Sequence, residues 1–240
     1  MKKILGIFVV SVLLSACGGD GGSKSKVTLD ATQQAQVVES SGNVVEAGLA
    51  LSALKSNPGE GNTFTALGNV YANASQLWGT KMAAQATTSK PTLDTVGKAI
   101  TEGCYTVSGS TTTYDCNEGG TTIVGTIIIS GDNVVIDLTI GSYGGTFVYK
   151  GDITVTTSEI DGWISFTMDQ NQGGMDISYD IEITYNSVVL DQSGCPISGS
   201  LLVDVNIETS GIEGMPSGYA PEYPNVEVVF GPLCGDVTMY

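Results

Sequence analysis

An α+β fold that is mainly β is the expectation for this chain: two to three N-terminal helices packed on a large curved antiparallel β-meander or barrel-like sheet, stapled by two disulfides. Three observations predict it. From residue 104 onward apolar side chains recur with a period of two, in segments rich in Thr, Val, Ile and Tyr and broken by Gly, Asp and Asn. Between residues 27 and 103 the apolar spacing is instead three and four, the period of a helix. Four cysteines, Cys104, Cys116, Cys195 and Cys234, all fall in the period-two part.

In chain order, residues 27–55 are helix-like. Asp30 with Gln33 three residues on suits a capping box, and Val37, Val38, Val44, Val45, Leu49 and Leu51 follow with a rough helical period. Ser40-Ser41-Gly42-Asn43 interrupts them and splits the segment into two short helices on this reading. After the turn signal Ser56-Asn57-Pro58-Gly59, the residues Phe64, Leu67, Tyr71, Ala74, Leu77, Trp78 and Met82 form the face of an amphipathic helix. Trp78 on that face reads as core rather than as a ligand platform. Residues 91–103 suit one more short helix.

The β part opens with a hairpin about Gly109-Ser110. Pairing position 104 with 116 there also pairs Tyr105 with Asp115 and Val107 with Thr113. Strands 121–130 and 133–140 join through Gly131-Asp132, a hairpin signal. In the second of these Val134, Ile136, Leu138 and Ile140 share one face, and Asp137 and Thr139 the other. Strands 146–150, 152–157 and 162–168 follow. Then 175–185 alternates most cleanly: Met175, Ile177, Tyr179, Ile181, Ile183 and Tyr185 against Asp176, Ser178, Asp180, Glu182 and Thr184. A one-residue slip of this strand exchanges its two faces and buries three carboxylates, so its register is firmly set. The last pair is 200–208 against 225–230, separated by the long loop 209–224. Roughly nine to eleven strands result, in a sheet with one wet, acidic face and one apolar face that the helices are placed to cover.

Four cysteines allow three pairings, and an even number in an exported chain reads as two disulfides. Spacing favours Cys104–Cys116 and Cys195–Cys234. The second choice sets Leu201 opposite Val228 and Val203 opposite Val226, apolar against apolar.

Composition removes whole classes of function. The nine basic residues are all lysines, and there is no histidine. Nucleic-acid binding is excluded for want of a basic patch. A Ser-His-Asp triad, a Cys-His pair and a histidine-ligated zinc are excluded with the histidine. Charge is unevenly spread: residues 18–100 hold six lysines and six acids, whereas residues 101–240 hold Lys150 alone against nineteen acids. Such a surface repels polyanions and keeps a protein soluble.

The N-terminus carries an address. Lys2-Lys3 precedes an apolar run, Ile4 to Leu14, that is too short to span a bilayer, and small residues follow before Cys17. Leu14-Ser15-Ala16-Cys17 resembles the lipobox of bacterial lipoproteins. The resemblance covers residues 1–18. It implies a signal peptide over residues 1–16, cleavage before Cys17, a diacylglycerol on the Cys17 sulfur and an acyl chain such as palmitate on the new amine. Each buried CH₂ contributes about 0.8 kcal/mol, and two or three chains make a stable anchor. By the same resemblance, Gly18 in the next position, in place of the aspartate associated with inner-membrane retention, implies a lipid-anchored place in the cell envelope, at the outer membrane where the host has one. Residues 17–26, rich in Gly, Ser and Lys, then read as a flexible tether. Residues 27–103 form the helical segment and 104–240 the antiparallel β domain, as one folding unit.

Chemistry-bearing constellations are few. Asp169, Asn171, Gly174 and Asp180 partly follow a calcium loop, which needs oxygen ligands at alternating positions about a tight glycine turn. Gly173 stands at a ligand position and strands flank the segment, so a glycine-rich hairpin turn without Ca²⁺ is the stronger reading and no cofactor is expected. Asp176, Asp180 and Glu182 share a solvated strand face, unlike the buried acid that glycoside hydrolysis requires. The loop 209–224, with Met215, Tyr219 and Tyr223 among Gly and Pro, is the best interaction surface. The expectation is a non-enzymatic envelope lipoprotein with a structural or binding role, partnered by the membrane through its lipid and by an envelope protein. The alternative is a carrier of lipid or another apolar ligand in a half-barrel cavity. The two differ in whether Phe64, Leu67, Tyr71, Leu77 and Trp78 fill the apolar face of the sheet.

Overall fold

The computed structural model describes residues 26–29, 31–55, 67–74, 77, 104–118, 120–142, 145–172, 175–210 and 225–240. Asp30, Phe64, Trp78 and Met82, the expected helix over 91–103, and the N-terminal segment with Cys17 lie outside these residues.

Ten strands form one antiparallel sheet: β1 (Tyr105–Ser108), β2 (Thr111–Glu118), β3 (Thr121–Ser130), β4 (Asn133–Ser142), β5 (Gly145–Val155), β6 (Glu159–Gln172), β7 (Met175–Leu190), β8 (Pro196–Ser210), β9 (Val226–Phe230) and β10 (Val237–Met239). Their spatial order is their sequence order, β1 to β10, so the sheet is a pure meander. It is open: β1 and β10 are its two edges and do not pair, which corrects the barrel-like alternative. Hairpin-linked strands need no crossover, and the Gly109 and Gly131 turns, both at φ +61°, supply the left-handed backbone such tight turns use.

Alternation holds where it was clearest. On β4 Val134, Ile136, Leu138 and Ile140 are buried while Asp137 and Thr139 are exposed. On β7 Ile181, Ile183 and Tyr185 are buried, with Asp180 and Glu182 in solvent. Leu201 stands opposite Val228 and Val203 opposite Val226, the register the Cys195–Cys234 pairing implied. Both disulfides are present, Cys104–Cys116 and Cys195–Cys234.

Four details differ from expectation. The first hairpin is one step out of the expected register, with Tyr105 opposite Tyr114 and Val107 opposite Thr112. The disulfide therefore joins residues that are not directly opposed, its Cα atoms 4.8 Å apart, and Cys104 O accepts instead from Asp115 N at 3.1 Å. Second, 146–150 and 152–157 are one strand, β5, because Gly151 continues the ladder: its Cα lies between Ile136 and Ile164 in register. Third, β7 runs past Tyr185 to Leu190 through a bulge. Ser187 has φ +45° and its amide donates to Asp161 Oδ1 at 2.8 Å. The extra residue shifts the alternation, so that Val188 and Leu190 point inward where 187 and 189 otherwise would. Fourth, β10 is too short to stand out in sequence. It exists because β9 pairs with it on one side and Val27 N donates to Met239 O at 2.9 Å on the other.

The described helices are α1 (Ala31–Ala50), a 3₁₀ turn at Leu51–Lys55, and a second helical segment at residues 67–74, with residue 77 also helical. The polar quartet 40–43 does not divide α1. Ser41 is buried, and its hydroxyl donates to Val37 O at 2.6 Å, one turn back, so the helix accommodates it internally. One face of α1 buries Val37, Val44, Val45 and Ala47. The second segment buries Leu67, Val70, Ala74 and Leu77. These side chains and the inward residues of the sheet make one continuous core, in which each fully buried aliphatic side chain contributes about 1.5–3 kcal/mol. Gln34 Nε2 donates to Val237 O at 3.0 Å, which ties α1 to the β10 edge.

The turn before β8 is organised by Asp191. Its carboxylate accepts from Ser193 Oγ at 2.6 Å, from Ser193 N at 2.8 Å and from Cys195 N at 2.9 Å. The Ser193 hydroxyl and then the Cys195 amide hold this carboxyl below its ordinary value of 3.8. Its stabilising contribution is therefore complete above that value and is lost as pH falls through the lowered one. Asp191→Ala is expected to lower the Tm at pH 7, with the difference from the parent closing in scans at successively lower pH.

Candidate functional site

Strict register lets the outer face be read across the sheet. Cross-strand partners share a face, so one row runs Thr106, Thr113, Thr126, Asp137, Lys150, Ser165, Glu182, Asp204 from β1 to β8. A second runs Thr111, Ile128, Val135, Asp152, Trp163, Thr184, Leu202, Glu227 from β2 to β9. The face is thereby divided. On β6–β8 its outward positions include Asp161, Asp169, Asp180, Glu182, Asp204 and Glu208, all exposed, with no lysine. On β1–β4 they are mostly Thr, Val and Ile.

The residues singled out as calcium ligands lie in the acidic half. Residues up to Gln172 belong to β6 and those from Met175 to β7, so the twelve-residue stretch is two paired strands about residues 173–174. Asp169 stands opposite Ser178, Asn171 opposite Asp176, and Asp180 opposite Thr167, whose hydroxyl donates to Asp180 Oδ1 at 3.0 Å. Asp169 and Asp180 thus share the outer face, and Asp180 is engaged by its neighbour. The Asn171 side chain lies outside the described residues. Among the described residues no three His, Cys, Asp or Glu side chains come together as metal ligands would.

Glu182 and Asp204 stand directly opposite each other, like charges in a cross-strand pair. Such a pair is destabilising by about 0.2–1 kcal/mol. Asp204→Lys is expected to raise the unfolding free energy by up to about 1 kcal/mol in urea titrations at low salt, and the gain should shrink in 1 M salt.

The inner face holds aromatic contacts where the second helical segment meets the sheet. Tyr71 packs edge-on against Phe166 with ring centroids 5.7 Å apart, and Tyr149 against the same ring at 5.1 Å. Burial, then the adjacent Tyr71 hydroxyl, pushes the Tyr149 hydroxyl far above its ordinary range. Tyr185, fully buried, donates its hydroxyl to Val44 O at 3.1 Å and fastens α1 to β7. Tyr149 and Tyr185 belong to the buried core, and Tyr71 packs against it.

Met215, Tyr219 and Tyr223, the residues of the expected interaction loop, lie outside the described residues, between the end of β8 at Ser210 and the start of β9 at Val226. Sequence reasoning passed over the exposed apolar residues of β3. Val124 and Ile128 face outward while Ile123 and Ile127 face the core. The signal was present: the run Ile127-Ile128-Ile129 cannot bury every member in a strand whose side chains alternate.

Among the described residues no helix is long and apolar enough to cross a membrane. Comparison with family models, with curated proteins and with solved structures returns no match to this chain.

Proposed function

We propose that this protein is a lipid-anchored lipoprotein of the bacterial envelope, held by acyl chains such as palmitate on Cys17 at the outer membrane, with a structural or binding role rather than an enzymatic one. The observation that carries the reading against a lipid carrier is the filled apolar face. Leu67 and Leu77, two of the side chains on which the alternatives turn, are fully buried, and Tyr71 packs on Phe166. Val44, Val45, Leu51 and Leu54 join them in the same core as Ile164, Ile183 and Val203. On this view the sheet curves around the helices and its concave side is core, where a carrier keeps an open cavity of several hundred Å³. Two disulfides agree with an oxidising compartment. Among the described residues no Asp or Glu is buried, whereas glycoside hydrolysis uses an acid raised by burial.

The anchor is tested by expressing the full chain and its Cys17→Ser variant in a lipoprotein-processing bacterium. The parent should partition into membranes with a mass that reports cleavage before Cys17 plus diacylglycerol and acyl chains. The variant should be unlipidated and released. A parent of unmodified mass sinks the anchor. Native mass spectrometry of the same preparation separates the two roles: a lipid retained in stoichiometric amount beyond the covalent chains would establish the carrier instead.

A further inference from the structure

The chain enters the fold along one edge of the sheet. Val27 N donates to Met239 O at 2.9 Å, and Gln34 Nε2 donates to Val237 O at 3.0 Å. Residues 27–34 thus run beside β10 in the opposite sense, with Val27 and Leu29 packed against the core. Tyr240 and Glu227 exchange both backbone hydrogen bonds, so the exposed Lys26 leaves the fold near the level of Glu227 on β9 and Leu202 on β8. Cys17 stands nine residues before Lys26. Nine residues span at most about 31 Å, and a Gly/Ser-rich stretch of that length averages about 17 Å. From Leu202, β8 continues eight residues to Ser210, a further 27 Å or so, about 3.4 Å for each.

We propose that the edge made by β10, the 231–236 turn and the start of α1 is the surface that meets the bilayer, with the Cys17 lipid anchor proposed above as its premise. The reach of the chain selects this edge. At their average length residues 17–26 keep Lys26, and β10 with it, close to the headgroups. Standing the protein on the Ser210 end of β8 would draw the same residues almost taut, which costs chain entropy. Charge opposes a third posture, with the sheet laid flat. Over β6–β8 the outer face presents Asp161, Asp169, Asp180, Glu182, Asp204 and Glu208 with no lysine, and an anionic leaflet repels it. The edge carries less charge. Residues 26–38 contain one lysine and one acid, Lys26 and Asp30, and Lys24 precedes them. Ala31, Thr32, Ala35 and Gln36 are exposed there. Leu233 in the adjoining turn is 71% exposed, with Glu227 and Asp236 the acids of β9, β10 and that turn. The Thr-Val-Ile half of the outer face, on β1–β4, is then six or more strands from the anchored edge.

The test uses the full chain, lipidated in its host and carrying Gln36→Cys. Residues 34–38 lie beside β10 and its turn, since Gln34 bonds to Val237 O and Val38 adjoins Gly235. Thr139→Cys, exposed on the outer face of β4, is the comparison. Each is labelled with a donor dye; Cys17 is blocked by its lipid and the other four cysteines are paired. The proteins are reconstituted into vesicles of phosphatidylethanolamine and phosphatidylglycerol with an acceptor dye on a fraction of the headgroups. Energy transfer from position 36 should be at least twofold that from position 139. Circular dichroism of each variant shows that the sheet is retained. Flotation with the vesicles, and a mass that includes the diacylglycerol, report the anchor separately. A chain that floats while both positions transfer equally, or while position 139 transfers more, overturns the edge and leaves the anchor standing. A chain that neither floats nor carries the lipid mass overturns both.

Discussion

Replacing Cys195 and Cys234 together by serine is expected to lower the unfolding free energy by about 4 kcal/mol, from the loop-closure entropy of a 39-residue separation. The location adds to the consequence. The bond joins the turn organised by Asp191 to the turn between β9 and β10. Those two strands have five and three residues, and β9 holds the sheet through four residue pairs only, Ser200–Val229 to Val203–Val226. Without the staple this edge hairpin is the weakest part of the sheet. Its release would also free Val27 and Gln34, whose hydrogen bonds to Met239 O and Val237 O hold the start of α1. Amide hydrogen exchange should therefore show protection lost first in β9, β10 and the first turns of α1. The corresponding loss for Cys104 and Cys116, separated by 12 residues, is about 3 kcal/mol by the same reasoning. Urea titrations of the two double variants decide the order. A larger loss from the shorter loop would show that the edge hairpin is held by its packing and not by the bond.

Tyr185→Ala is expected to cost about 4 kcal/mol, the usual scale for removing a buried aromatic ring. This side chain is where helix and sheet are joined. It stands opposite Gly162 on β6 and Leu201 on β8, is fully buried, and reaches across to α1 to donate to Val44 O. Tyr185→Phe should cost only about 1 kcal/mol, that of one hydrogen bond. Gly48 provides an independent check. A Cβ there would lie 2.9 Å from the Tyr185 hydroxyl oxygen and 3.1 Å from its ring carbon, so the helix has a glycine where the ring presses on it. Gly48→Ala ought to gain about 1 kcal/mol in helix propensity, yet a net loss of about 1–2 kcal/mol is expected because the ring has no room to retreat. In a Tyr185→Phe background that loss should shrink, and additivity of the two would mean that the ring and the helix do not touch. The hydroxyl also sets an alkaline limit. Burial pushes it far above the ordinary value of 10.0, so its stabilisation is whole below pH 10 and declines as pH rises beyond it. Tyr185→Phe should be less sensitive than the parent to pH between 10 and 11.5.

Local pattern was sufficient wherever one residue type repeats on one face. The run of Ile and Tyr against Asp and Glu on β7, the Val-Ile-Leu-Ile face of β4, the glycine turns at 109 and 131, and the agreement of Cys195–Cys234 with the β8–β9 register were all legible, because each is a two-residue period or a backbone preference acting over neighbouring positions. What pattern lacked was anything decided by a distant contact. The quartet 40–43 looks like a helix break, yet Ser40 and Ser41 are buried within an unbroken α1, a burial that the local pattern does not announce. The strand β10 exists through Val27 and β9, and the inward turn of Val188 depends on Asp161 holding a bulge at Ser187. The open ends of the meander, and the split of its outer face into an acidic half and a Thr-Val-Ile half, follow from the pairing of all ten strands at once. Side-chain period reports which face a residue takes, whereas what covers that face is settled by elements tens or hundreds of positions away.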